Sequence, residues 1–241
     1  MVFRTLVAVA AALFVQQVSA AGTDETSIRA RMAKMFPDEP VSEIAPSPVP
    51  GLYEVMLGAS LFYMTADGRY AVRGDVIDLQ ERRNVSEERR ADARQQAFAD
   101  IDKHDVIEFA PPADKRRATL YVYTDVDCGY CRKLHNDVPA LNEAGIAVEY
   151  LAFPRAGLKS ESYKKIAAVW CSPNRQQAMT AAKAGEKVTA PPCENPVARQ
   201  FELGQAMGVS GTPAVYSAKG EELGGYVPAP TLIKMLADGK I

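Results

Sequence analysis

Apolar and polar positions change their period several times along the chain. It starts with an apolar run, "TLVAVAAALFV", preceded by Arg4 and followed by "VSA" ending at Ala20. Charge, apolar run and small residues in that order form a cleaved signal peptide, and the run is too short to span a bilayer. Residues 1–20 are expected to be that peptide. Ile28, Met32 and Met35 follow at i, i+4 and i+7, one face of a helix. After the break "PSPVPG" come three strand candidates, "GLYEVML", "SLFYMTA" and "RYAVRGDVIDL", with a turn at Ala66–Gly68 between the last two. Residues 21–83 therefore read as a small α+β domain. A unit this small buries a modest core, and a three-stranded sheet leaves edges unpaired. No cysteine staples it, so pairing with a second copy is its expected route to stability; packing on the rest of the chain is the alternative.

Residues 84–109 change character. "NVSEERRADARQQAFADIDKHD" is a charged helix pattern with only Ala97, Phe98 and Ile101 as an apolar stripe. Asn84 and Glu87 have the spacing of a capping box. So thin a stripe suits a linker helix between domains. "NVS" also matches a glycosylation sequon, which chance explains better in so short a pattern. From about Ala110 the pattern turns β-rich. "ATLYVYTDV" reads as a central strand, a helix follows through "RKLHNDVPALNEAG", and "IAVEYLAF" is a second strand. "PAVYS" and "ELGGYV" flank a turn at Lys219–Gly220, and "PTLIKMLADG" is a terminal amphipathic helix. A largely helical insertion fills about 159–208. Residues 110–241 thus form an α/β domain.

Composition narrows the chemistry. The chain has 28 basic and 30 acidic residues, which gives no footprint for nucleic acid. Its four cysteines allow three pairings, and export permits disulfides. Cys128 and Cys131, in "CGYC", fall where a strand passes into a helix. A cysteine there faces free backbone N–H groups and the positive end of the helix dipole, which favour thiolate. Cys128 is the candidate nucleophile; Cys131, one turn deeper, can close a disulfide and release a trapped partner. Gly129 and Tyr130 between them set strain and solvation. A zinc site would want a second close Cys or His pair, whereas Cys171 and Cys193 lie 22 apart and His104 and His135 form no pair. No metal or cofactor is expected. A purely structural disulfide is the other alternative, but a two-residue loop restrains little of the unfolded chain.

"CGYC" after a strand, "YLAFPRAG" at 150–157, "WC" at 170–171 and "GVSGTPAV" at 208–215 together resemble the DsbC/DsbG family of periplasmic protein disulfide isomerases, with DsbC the nearer branch. The resemblance spans nearly the whole chain after residue 20. It implies a thioredoxin-like catalytic domain and an N-terminal dimerisation domain joined by linker helices, in a V-shaped homodimer around an apolar cleft. It implies misfolded exported proteins as substrates, a periplasmic location and a DsbD-like membrane reductant. Thr212-Pro213 resembles the family's cis-proline loop, which would let Thr212 pair with an extended client strand. Thr212, Pro213, Gly129 and Tyr130 are the expected substrate-binding residues.

Cys171 and Cys193 read as a structural disulfide within the insertion, a second redox pair being the alternative. His135 shares the helix face of the cysteines, either shuttling protons or as a satisfied buried histidine. Trp170, Tyr121, Tyr123, Tyr150 and Phe153 read as core. Asp127, next to the nucleophile, would oppose thiolate formation unless exposed. A dimeric chaperone whose redox activity is secondary is the alternative function. A net oxidant fits less well, since it needs no dimerisation module.

Overall fold

The computed structural model describes residues 18–37 and 40–241. The signal peptide expected over residues 1–20 falls almost wholly on residues outside that description. Helix α1 (Val18–Met35) lays Ile28 and Met32 on an antiparallel sheet. Met35 departs from the expected stripe and is 56% exposed; Phe36 packs there instead, 5.8 Å from the Phe62 ring. The sheet has four strands in the order β1 (Glu43–Pro46), β2 (Leu52–Leu57), β3 (Ser60–Thr65) and β4 (Ala71–Val72). Proline-rich sequence hid β1, but an edge strand tolerates Pro46. The third expected strand is broken: β4 ends at Val72, and Ile77–Asp78 (β5) instead pairs with Arg83–Asn84 (β6) in a separate ribbon. Gly68 makes the expected turn at φ +64°.

Both faces of β2 and β3 are covered. Val55, Leu57 and Met64 meet α1, whereas Met56, Leu61 and Tyr63 face the other way. That second face lies towards α2 (Val85–Ala99), where Tyr63 Oη and Ser86 Oγ are 2.6 Å apart and Arg89 Nε donates to Glu54 Oε2 at 3.0 Å. Asn84 caps α2 by accepting from Glu87 N at 2.9 Å. The reciprocal half of a capping box is not made, because the Glu87 carboxylate pairs with Arg90 and Arg94. Phe98 is fully buried and stacks on Tyr121 with centroids 4.2 Å apart. Arg94, 1% exposed, lies over the Tyr216 ring. A helix that looks solvated in sequence is therefore docked at both ends.

The second sheet begins at β7 (Ile107–Phe109), within the stretch assigned to the linker. With β8 (Ala118–Thr124), α3 (Gly129–Glu143) and β9 (Ile146–Ala152) it builds a β-α-β core in which β8 and β9 run parallel. α4 (Glu161–Trp170), α5 (Arg175–Lys183) and α6 (Val197–Ala206) form the insertion. β10 (Ala214–Ser217), β11 (Glu222–Gly224) and α7 (Ala229–Ala237) complete the domain, with sheet order β11-β10-β8-β9-β7. Residues of β8 and β9 are nearly all buried because helices cover both faces, which explains their unbroken apolar runs. Trp170, Tyr121, Tyr123, Tyr150 and Phe153 are all core. Gly145 ends α3 at φ +90°, where a Cβ would lie 2.7 Å from Lys115 O.

Candidate active site

β8 delivers its chain to α3 through a turn built on Asp125. Its buried carboxylate accepts from Asp127 N at 2.8 Å, Ser162 Oγ at 2.6 Å and Arg155 N at 2.9 Å. Cys128 N donates to Asp125 O at 3.2 Å. This fixes Cys128 as the N-cap of α3, with Sγ accepting from Cys131 N at 3.4 Å. Both thiols are free and nearly inaccessible, at 2% and 1% exposure.

The loop before β10 closes over them. The Thr212–Pro213 bond is cis, and the Cys128 thiol donates to Thr212 O at 3.1 Å. Opposing effects act on Cys128. Burial pushes its pKa up. The Thr212 hydroxyl, the contacts from Cys131 and the Arg155 charge pull it down, and its net position is below the ordinary thiol value. Thr212 Oγ1 is buried and has no other hydrogen-bond partner among the described residues, so its hydroxyl is available to the thiolate. Cys131 goes the other way: burial dominates and raises its pKa, against the charge of Lys183.

Tyr130 is 64% exposed beside Cys128 and stacks on Tyr226, with centroids 6.1 Å apart. Lys133 lies 4.7 Å over the Tyr226 ring, and Tyr226 Oη donates to Asp137 Oδ2 at 2.8 Å. A Cβ at Gly129 would touch nothing within 4 Å. Gly129, Tyr130, Thr212 and Pro213 thus share the rim around Cys128.

The ambiguous residues resolve on contact. Asp127 pairs with Lys165 at 2.9 Å and faces Arg132 at 3.8 Å, so its charge is compensated locally. His135 is a satisfied buried histidine: its ring nitrogens lie 3.0 Å from Tyr150 Oη and 3.1 Å from Thr180 Oγ1. Burial, helped by Lys183, pulls its pKa down to about 4, leaving it neutral and remote from proton shuttling near pH 7. Cys171 and Cys193 are disulfide-bonded with Cα atoms 5.6 Å apart. No group of His, Cys, Asp and Glu among the described residues could hold a metal.

Asp125, Arg155 and Lys183 were not singled out from sequence. Asp125 had a faint signal, as the first acid after a buried strand. Lys183 had another: it follows Met179 by four residues, on the buried face of α5.

Comparison with known proteins agrees with this geometry. Residues 19–87 match the family described as the disulfide bond isomerase protein N-terminal domain, and residues 104–240 match the thioredoxin-like domain. The thiol:disulfide interchange protein DsbC of Escherichia coli strain K12 is 34% identical over 216 residues, covering 90% of this chain and 89% of the relative. Its Salmonella typhimurium counterpart is 33% identical, covering 86% and 84%. Among solved structures, a disulfide interchange protein from Neisseria gonorrhoeae superposes with TM-score 0.52 at 26% identity, over 58% of this chain and 99% of that one. On two matching domains and near full-length identity to those relatives, the chain belongs to the DsbC family of thiol:disulfide interchange proteins.

Proposed function

We propose that this chain is a periplasmic homodimer that isomerises wrong disulfides in exported proteins, with Cys128 attacking and Cys131 resolving. The observation that carries the reading is the placement of Cys128: a helix-capping thiol within 3.1 Å of the Thr212 carbonyl, beside the Pro213 loop. The thiolate attacks one sulfur of a client disulfide and forms a mixed disulfide. The other client sulfur leaves as thiolate. A client thiol then displaces Cys128, completing isomerisation, or Cys131 attacks Cys128 Sγ and leaves the pair oxidised. In the second case a DsbD-like membrane reductant restores the dithiol. Thr212 and Pro213 hold the client strand, and Tyr130 and Gly129 leave room and an aromatic face for its side chains.

The N-terminal domain, residues 21–83, supplies the dimer contact; the linker expected over 84–109 gives up Ile107–Phe109 to the sheet of the domain that carries the catalytic cysteines. In support, β4 pairs on one side only among the described residues, with Tyr70 and Val72 exposed beside and on it, and Ile77 and Leu79 are exposed in the ribbon that follows. An unpaired edge rimmed by apolar side chains fits a second copy. Residues 1–20 export the chain. The test is rescue of a scrambled multi-disulfide protein by the full chain and by Cys128→Ser. Isomerisation requires rescue to vanish in the variant. Equal rescue by both would refute the reading in favour of a chaperone with incidental cysteines.

A further inference from the structure

α5 ends in a lysine that forms no ion pair among the described residues. Lys183 is 4% exposed. Its Nζ donates to Thr124 Oγ1 at 2.5 Å and to Asp125 O at 3.0 Å, both at the end of β8 where the chain turns towards Cys128. A protonated amine has three donors, and these contacts use two. The Asp125 charge favours the ammonium, but no carboxylate oxygen bonds it among the described residues, and a buried cation so placed is costly and marks a functional site more often than chance.

The groups around Lys183 are few. α3 contributes Cys131, Cys128, Arg132 and His135, and the loop after β8 contributes Asp125. β9 contributes the Tyr150 ring, 5.8 Å from Nζ. Asp125 is occupied by Ser162, Asp127 N and Arg155. On α4, Lys165 is taken by Asp127 and Glu161 by Lys164, both at the surface. His135 is neutral and engaged with Tyr150 and Thr180. That leaves the Cys131 thiol. Both groups are buried, and Lys183 Nζ bonds Asp125 O, the same carbonyl that accepts from Cys128 N at 3.2 Å, which sets the amine beneath the CGYC turn where its charge and that of Cys131 act on each other. Burial brings the lysine down to about 8, within reach of exchanging a proton with a thiol.

We propose that Lys183 is the proton partner of Cys131 in the resolving step, a role that rests on the redox reading of the CGYC pair. With client bound to Cys128, the neutral amine takes the Cys131 thiol proton. The resulting thiolate is held by the new ammonium. The thiolate attacks Cys128 Sγ and forms the Cys128–Cys131 bond. The bond from Cys128 to the client breaks, and its electron pair leaves with the client sulfur, which takes a proton from solvent. The two enzyme sulfurs are oxidised and the client disulfide is reduced to two thiols. Thr124 and Asp125 O accept the two N–H bonds that even a neutral amine keeps, so the lone pair is the free position. Lys183 acts through Cys131 and is a positioning residue. Beyond its spacing from Met179, its sequence signature is a basic residue at a helix end, which ordinarily reads as solvated.

The test isolates Cys131. With Cys171 and Cys193 bonded, the full chain carrying Cys128→Ser has one free thiol. Thiolate absorbance is titrated in that background alone, with Lys183→Met, and with Lys183→Gln, which keeps N–H donors but no basic group. The Cys131 inflection should rise by at least about one pH unit in both lysine variants, a tenfold loss of thiolate at fixed pH. Lys183→Gln in the chain with both cysteines should lengthen the mixed-disulfide lifetime about tenfold near pH 7. Coincident titrations, or unchanged lifetimes in a folded Lys183→Gln chain, would overturn the assignment. The unaltered chain is assayed alongside on a small disulfide. Failure there sinks the active-site reading itself; exchange there with coincident titrations sinks only the role of Lys183.

Discussion

Removing the Cys171–Cys193 bond tests how the insertion is held. The bond links the C-cap of α4 to the loop before α6, a separation of 22 residues, and α5 lies inside the closed segment. Cys193 is exposed and Cys171 half-exposed, so alanine at both leaves no core cavity. The cost should then be the loop-closure entropy returned to the unfolded chain. For a loop of this length that is about 3.4 kcal/mol at room temperature. Denaturant unfolding of the double alanine variant against the parent, both reduced at Cys128 and Cys131, measures it. The midpoint should fall by an amount equivalent to about 3 kcal/mol. Hydrogen exchange should show α5 opening more readily than in the parent, since it lies inside the closed segment and keeps only its own ties, Thr180 to His135, Lys183 to the β8 end and Gln176 to Glu108 O. A loss below about 1 kcal/mol would refute the reasoning, because the bond would then restrain nothing the reduced chain does not already restrain.

Further predictions rest on other contacts. His135, held near 4 when folded, takes a proton on unfolding between about pH 6.5 and 4. Stability should therefore fall as pH drops through that window and level off below it, by at most about 3.4 kcal/mol, and His135→Gln should flatten this limb in a pH series of unfolding curves. Gly204→Ala would place a Cβ 2.8 Å from Phe153 and 2.9 Å from Tyr123, and should lower stability by about 1–3 kcal/mol with little change in cysteine reactivity. Val72→Lys with Leu79→Lys should give monomers in sedimentation that still reduce simple disulfides but rescue scrambled protein poorly; dimers would place the interface elsewhere.

Periodicity carried most of the fold. The β8-α3-β9 unit, its Gly145 stop and the terminal helix were legible because buried central strands and an amphipathic helix write long patterns. Short elements were not: β1 is four residues ending in proline, and β7 is three residues behind a charged helix. The docking of α2 was hidden because Arg94 and Phe98 bury through a stacked ring and ion pairs that no periodicity records. At the site, Cys128 and Cys131 announce themselves by spacing. The setting of their charges does not, since Asp125, Arg155 and Lys183 come from three separate segments that only the tertiary fold brings together. The worry over Asp127 dissolves for the same reason: its partner Lys165 is 38 residues away.

The central claim is that Cys128 is the atom that meets the client. A Cys131→Ser chain cannot resolve, so a brief reaction with a scrambled multi-disulfide protein, quenched in acid, should trap the complex. Peptide mapping is predicted to place the client bond on Cys128 Sγ, with Cys171–Cys193 intact. Absence of a covalent complex, or a client joined through Cys171 or Cys193, would contradict the account.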